Sequence, residues 1–170
     1  IYDIAANRTD PALWDLVARS GVGYVAMHMR GTPETMQDRP EYGDVVAEVC
    51  GFLRDRLDGL GRRGVGPGQV ALDPGIGFGK TLEHNLALIR ALDLLVALGH
   101  PIVLGVSRKS FLGLLTGADV GGREPAGLAC AVWAALRGVG VIRTHDVAAT
   151  LQVLKVVEAL VPGPMDGKDH

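Results

Sequence analysis

The chain has 170 residues and a formal net charge of −2, with 17 Lys and Arg against 19 Asp and Glu. That length is one domain's worth and enough for a real core, and the even charge balance leaves no basic footprint for nucleic acid. Hydrophobic residues make up 48% of the chain, yet no apolar run approaches the ~20 residues of a membrane span. Glycine, at 24 residues, is about twice as frequent as the usual ~7%. The glycines punctuate apolar runs without forming low-complexity tracts, which is a globular α/β composition with many tight turns. Cys50 and Cys130 fall in helical patterns, and read as two buried thiols in a reducing, cytoplasmic compartment.

The chain opens on Ile1-Tyr2-Asp3-Ile4 with no initiator Met and no signal peptide, so it reads as a strand already under way and as a fragment. After the short loop to Arg8, Thr9 or Asp10 caps a helix with Pro11 at its first position, and Gly21 ends it. Residues 23–27 are a continuous apolar run, hence a strand buried on both faces. It leads into Met27-His28-Met29-Arg30-Gly31 and a polar loop from Thr32 to Pro40. A longer helix is expected over 41–61, from the spacing of Val45, Val46, Val49, Phe52, Leu53 and Leu57.

A third strand over 69–72 ends abruptly in Asp73, followed by Pro74-Gly-Ile-Gly-Phe-Gly-Lys80. Two familiar phosphate motifs fail here. A P-loop needs a glycine where Pro74 stands, and the glycine spacing at 75, 77 and 79 does not match a dinucleotide fingerprint. An amphipathic helix over 83–98 follows, then a strand over 102–106 closed by Ser107-Arg108-Lys109-Ser110. A short helical turn covers 111–115, and a Gly-rich excursion runs from Thr116 to Glu124. Helix 125–136 carries small residues suited to close packing, and another buried strand spans 138–143. Asp146 then caps a last helix, 147–160.

Strand and helix thus alternate five times. Right-handed crossovers between parallel strands give either an open doubly wound sheet or a (β/α)8 barrel. Five units are too few to close a barrel, so the barrel reading needs about three more before Ile1.

Polar residues gather where the strands stop. Asp3, His28, Asp73, the Ser107–Lys109 run, Arg143 and His145 lie within a few residues of the five strand ends. Parallel strands present those ends at one mouth. Each residue has a plainer reading: Asp3 as a turn cap, His28 as a packed core residue, Asp73 as a structural cap, and Ser107–Ser110 as a solvated helix start. Arg143 and His145 alternate along one strand, which puts them on the same side and turns Thr144 inward or sideways. Beside the helix start at Asp146, they make an anion site. The combination is an acid and a lysine for a polar ring, next to a cradle for phosphate or diphosphate.

Four motifs, in order, resemble the dihydropteroate synthase family: Met27-His-Met-Arg-Gly-Thr-Pro33 with Met36-Gln37, Leu72-Asp-Pro-Gly-Ile-Gly-Phe-Gly-Lys80 with His84-Asn85, Gly105-Val-Ser-Arg-Lys-Ser110, and Arg143-Thr-His-Asp146. The resemblance implies that residues 1–161 are the C-terminal part of a (β/α)8 TIM barrel, strands four to eight, with a polar tail at 162–170. It also implies a reaction in which 6-hydroxymethyl-7,8-dihydropterin pyrophosphate and p-aminobenzoate give 7,8-dihydropteroate and pyrophosphate. Asp73 would accept hydrogen bonds from the pterin, and Lys109 would donate to its edge near the incoming amine. Met27 and Gly105 would line the pterin slot, Phe78 and Ser110 would border the p-aminobenzoate end, and Arg143 and His145 would hold the pyrophosphate. Sulfonamide inhibition, a homodimer and a Mg2+ ion come with the family; the magnesium-linked Asn belongs to the units expected before Ile1.

The chain departs from the family in two places. Tyr2 stands where an Asn that pairs with the pterin is usual, and a phenol lacks the amide's paired donor and acceptor. Thr144 stands where Val is usual, a change that keeps the shape. Two rival readings are a non-catalytic pterin-binding relative, suggested by Tyr2, and a pterin-barrel methyltetrahydrofolate methyltransferase, against which the Ser-Arg-Lys run and the Arg143/His145 pair both argue.

Overall fold

The computed structural model describes residues 1–6, 12–31 and 40–161. The expected Thr9 or Asp10 cap with Pro11, the motif residues Thr32, Pro33, Met36 and Gln37, and the 162–170 tail lie outside the described residues.

Five strands alternate with helices: β1 (Tyr2–Asp3), α1 (Ala12–Ser20), β2 (Tyr24–Met27), α2 (Val45–Arg62), β3 (Val70–Asp73), α3 (Leu82–Arg90), α4 (Leu92–Val96), β4 (Val103–Gly105), α5 (Ser110–Thr116), α6 (Glu124–Leu136), β5 (Val141–Arg143) and α7 (Val147–Leu160). All pairings are parallel, β1 to β2 to β3 and β4 to β5. A parallel bridge from Leu72 to Ile102 joins the two groups, with the Leu72 N–H 2.9 Å from the Pro101 carbonyl. Strand order therefore follows chain order without a reversal. A doubly wound sheet has a switch point where that order turns back; a barrel does not. The alternative that the sequence leaves open is decided for the barrel arrangement.

β2, β3 and β4 are the buried strands, and Leu72 and Leu104 are wholly covered. Helix α2 seals one side with Val45, Val49, Leu53 and Leu60, which share one helical face. It begins four residues later than the apolar spacing suggests, because the Asp44 carboxylate accepts from the N–H groups of Val46 and Ala47 and so fixes the cap. The single helix expected over 83–98 is broken at Ala91, whose carbonyl accepts from Leu94 in a turn. Leu88, Leu92 and Leu95 still face the core on both halves. Thr81 starts α3 by a reciprocal cap with His84.

Two expectations need correction. The expected burial of β5 is not met within this chain: Val141 is 45% exposed, on the edge away from β4 that the further strands of a barrel would cover. Cys130 is partly exposed, while Cys50 is buried; burial raises both thiol pKa values.

The loop after β3 packs against the exit of β2. Gly75, Gly77 and Gly79 have φ of 68°, 81° and 65°, which L side chains rarely adopt. A Cβ on Gly75 would lie 1.7 Å from the His28 carbonyl oxygen, and one on Gly79 2.5 Å from that of Arg30. Lys80 closes the loop from inside. Its side chain is 4% exposed, with Nζ 3.0 Å from the carbonyls of Gly75 and Phe78 and 3.0 Å from Nδ1 of His28. Burial lowers its pKa from 10.5 to about 7, against the pull of Asp73 and with help from Lys109 and Arg30.

A lysine with that shift makes stability rise with pH between its two pKa values. The unfolded chain holds a proton there that the folded chain has released, so raising pH favours folding by up to about 1.4 kcal/mol per unit. Urea unfolding at pH 7, 8 and 9 should give a rising contribution that Lys80→Met loses; equal slopes in both proteins contradict it.

Candidate functional site

The C-terminal ends of the five strands meet at one mouth. Asp73, the last residue of β3, is 2% exposed. Its Oδ1 accepts from the Gly75 N–H at 2.6 Å and its Oδ2 accepts from the Tyr2 hydroxyl. Burial pushes its pKa up, and the Tyr2 and Gly75 hydrogen bonds, Arg143 and Lys109 pull the other way. Burial outweighs these opposing causes, so on balance its pKa lies above the usual carboxylate value.

From the next strands come the cations. Lys109 follows a turn closed by its own N–H on the Val106 carbonyl at 3.1 Å, with Arg108 at φ 60°. A non-glycine residue there costs on the order of 1 kcal/mol. The guanidinium of Arg123 steadies the turn by donating to the carbonyls of Arg108 and Ala118 at 3.2 and 3.3 Å. The Lys109 ammonium sits 3.9 Å from the centre of the Phe78 ring. Burial and the nearby Arg143 lower its pKa from 10.5 to about 8, with Asp73 opposing.

Arg143 ends β5 and lies across β4, so closely that a Cβ on Gly105 would be 2.5 Å from Nη2. Glycine at that position is what lets the guanidinium cross the strand. His145 is held by Ser107, whose Oγ lies 2.9 Å from Nδ1 and 3.3 Å from the His145 backbone nitrogen. Thr144 turns aside: Thr150 donates to its hydroxyl at 3.1 Å. Asp146 caps α7 by accepting from Ala149 at 2.9 Å. Gly105, Ser107, Lys109, Arg143, Thr144 and His145, with Arg108 and Val120, line one open cleft of about 520 Å³.

Of the residues singled out from the sequence, Lys109, Arg143, His145 and Gly105 line this cleft, and Asp73 is buried close enough to Lys109 and Arg143 to feel their charges. Phe78 joins through Lys109. Met27 is buried at the end of β2, paired with Asp73 in register. Ser110 is exposed at the start of α5 and is not part of the cleft wall. Asp3 caps a turn by accepting from the Ala5 N–H at 2.9 Å, and its Oδ2 accepts from Tyr24 at 2.7 Å. His28 is packed, edge-on to Phe52 at 4.9 Å. Sequence reasoning missed Lys80 and Ser107 as supports, Asn85 as the acceptor of the Gly77 N–H at 2.7 Å, and Tyr2 as a partner of Asp73. A lysine at the end of a glycine-rich run was the available signal for the first of these.

Among the described residues no three His, Cys, Asp or Glu side chains gather as a metal-binding group. No helix described is long and apolar enough to cross a membrane.

Comparison with known proteins fits this geometry. A family model described as "Pterin binding enzyme" matches residues 1–145. The dihydropteroate synthase of Mycobacterium leprae (strain TN) is 48% identical, over 96% of this chain and 61% of its own length. Dihydropteroate synthase from Stenotrophomonas maltophilia, with imidazole bound in its active site, superposes with a TM-score of 0.90 at 43% identity, over 96% of this chain and 62% of that one. The Thermus thermophilus enzyme in complex with 4-aminobenzoate gives 0.88 at 46% identity, over 94% and 64%. This chain spans less than two thirds of the length of these relatives. The superpositions identify its five parallel units as part of a TIM barrel. By sequence over most of its length, and by fold, the chain belongs to the pterin binding enzyme family.

Proposed function

We propose that the protein acts as a dihydropteroate synthase, joining 6-hydroxymethyl-7,8-dihydropterin pyrophosphate to p-aminobenzoate. The observation that carries this reading is the meeting of Asp73, Lys109 and the Arg143/His145 pair at one mouth. Relatives support it: the Thermus thermophilus dihydropteroate synthase has been solved in complex with 4-aminobenzoate and with 6HMPPP, at 46% identity to this chain.

The chemistry asks little covalent work of the protein. The methylene–oxygen bond breaks, the amine nitrogen takes the carbon, and the amine loses a proton as pyrophosphate leaves. Asp73 accepts from the pterin's amino and ring N–H groups and so orients the ring, with Met27 and Gly105 beside it. Lys109 donates to the pterin edge, next to the p-aminobenzoate end bordered by Phe78 and Ser110. Arg143 and His145 hold the departing pyrophosphate, whose growing charge they stabilise. Positioning and charge are the whole contribution of these residues.

A sulfonamide, as a mimic of p-aminobenzoate, would occupy the Phe78 end; a Yersinia pestis dihydropteroate synthase, 36% identical, has been solved in complex with a sulfonamide drug. A cytoplasmic homodimer belongs to the same reading. The exposed Val156 and Leu160, one turn apart on α7, supply apolar surface that a second copy would cover. One observation favours a non-catalytic pterin-binding relative, namely that the Tyr2 hydroxyl already engages Asp73. Binding of the pterin pyrophosphate without formation of dihydropteroate would select that alternative.

In the full-length protein, Asp73→Ala and Lys109→Ala should each lower kcat/KM by at least ~10²-fold, if each group supplies about 3 kcal/mol at the transition state. Near-normal turnover in either variant refutes its role. The pH profile offers a separate check. The charged ammonium of Lys109 is the working form, and its pKa is about 8, so kcat/KM should fall about tenfold per unit above that pH. Lys109→Arg, protonated throughout, should flatten this limb even at a lower overall rate; an unchanged limb assigns the fall to another group.

A further inference from the structure

Asp73 has two oxygens and two occupants, and the occupants differ in kind. The Gly75 N–H belongs to a turn fixed by its positive φ and by Lys80 beneath it. The Tyr2 hydroxyl belongs to a side chain that can turn about its own torsions. Of the two, only the phenol is placed to leave. Its ring also lies 5.7 Å from the guanidinium carbon of Arg143, which comes from the strand at the opposite end of the order. The ring therefore spans the mouth, between the acid that would orient a ligand and the cations that would hold a phosphate.

We propose that Tyr2 is a gate on Asp73, a tethered phenol that competes for the carboxylate until a ring with adjacent N–H donors displaces it. The gate rests on the proposed function, since it presumes that a pterin is the ligand of Asp73. Two consequences follow from its chemistry. A ring offering one donor merely exchanges one hydrogen bond for another and gains little. A 2-amino-pyrimidinone edge brings donors side by side and ends with more bonds to the carboxylate than the phenol made. The phenol thus weakens every ligand of Asp73 by about the same factor, and only a ring with the donor pair gains enough to bind well in spite of it. Burial and the Asp73 charge raise the phenol's pKa, so Tyr2 stays a donor at any physiological pH.

Titration calorimetry on the full-length protein tests this with two probes, 6-hydroxymethylpterin and inorganic pyrophosphate. Tyr2→Phe keeps the ring and removes only the hydroxyl. It should tighten the pterin about tenfold, the worth of a hydrogen bond to a charged group, and leave pyrophosphate affinity unchanged. Pterin affinity that is equal or weaker in Tyr2→Phe, with the parent protein binding normally, overturns the gate and leaves the proposed function standing. An equal gain for both probes also overturns it, because it signals a general loosening of the mouth. Failure of the parent protein, Tyr2→Phe and Tyr2→Ala alike to bind the pterin overturns the proposed function, and the gate falls with it.

Discussion

The structure of the mouth depends on one buried lysine side chain. Lys80 reaches back under its own loop and satisfies the Gly75 and Phe78 carbonyls together with the His28 ring, in a place almost closed to solvent. Unpaired, those carbonyls would each cost on the order of 1–3 kcal/mol. Paired, they fix a run of left-handed glycines in a single conformation against the exit of β2. The consequence reaches Asp73, because the Gly75 N–H that binds its Oδ1 is aimed by that conformation. It reaches Asn85 as well, which ties the middle of the loop to the first turns of α3 through Gly77 and Thr81. The loop is thus held at both ends by groups that lie outside the cleft.

Around Asp73 the charges are lopsided. One buried carboxylate faces Lys80, Lys109 and Arg143, and the last two shape its pKa directly. Such a surplus of positive charge is self-repelling, and it adds to burial in lowering the pKa values of both lysines. A ligand carrying several negative charges relieves that repulsion as it binds, and the mouth is therefore electrostatically tuned to polyanions in advance. The acid gives the same opening a direction, by offering an acceptor at one end and cations at the other.

The supports of the cationic end are modest in number but specific. A backbone at φ 60° in Arg108 is retained because Arg123 braces the turn from the side. Gly105 leaves room for Arg143 to lie across β4, and Ser107 settles the orientation of His145. The last two pairs join different strand ends, and Ser107 and His145 are 38 residues apart in the chain. Parallel strands in chain order are what make such distant residues neighbours.

Much of the fold was legible in the sequence. Alternation of apolar runs with amphipathic stretches placed all five strands and the helices between them, because burial writes its period directly into the residue pattern. The abrupt step from Leu72 to Asp73, and the paired Arg143 and His145, marked the strand ends for the same reason. Fold closure and cap details were less so: apolar spacing cannot tell that Asp44 sets back the start of α2, or that the chain kinks at Ala91. Apolar spacing left sheet and barrel both open; the family resemblance implied the barrel, and tertiary structure bore it out through strand order, a property of pairing that leaves no trace in any one segment. Tertiary structure alone brought Tyr2 onto Asp73 and Lys80 onto His28, because a hydrogen bond between residues 71 or 52 positions apart exists only once the strands that carry them lie side by side.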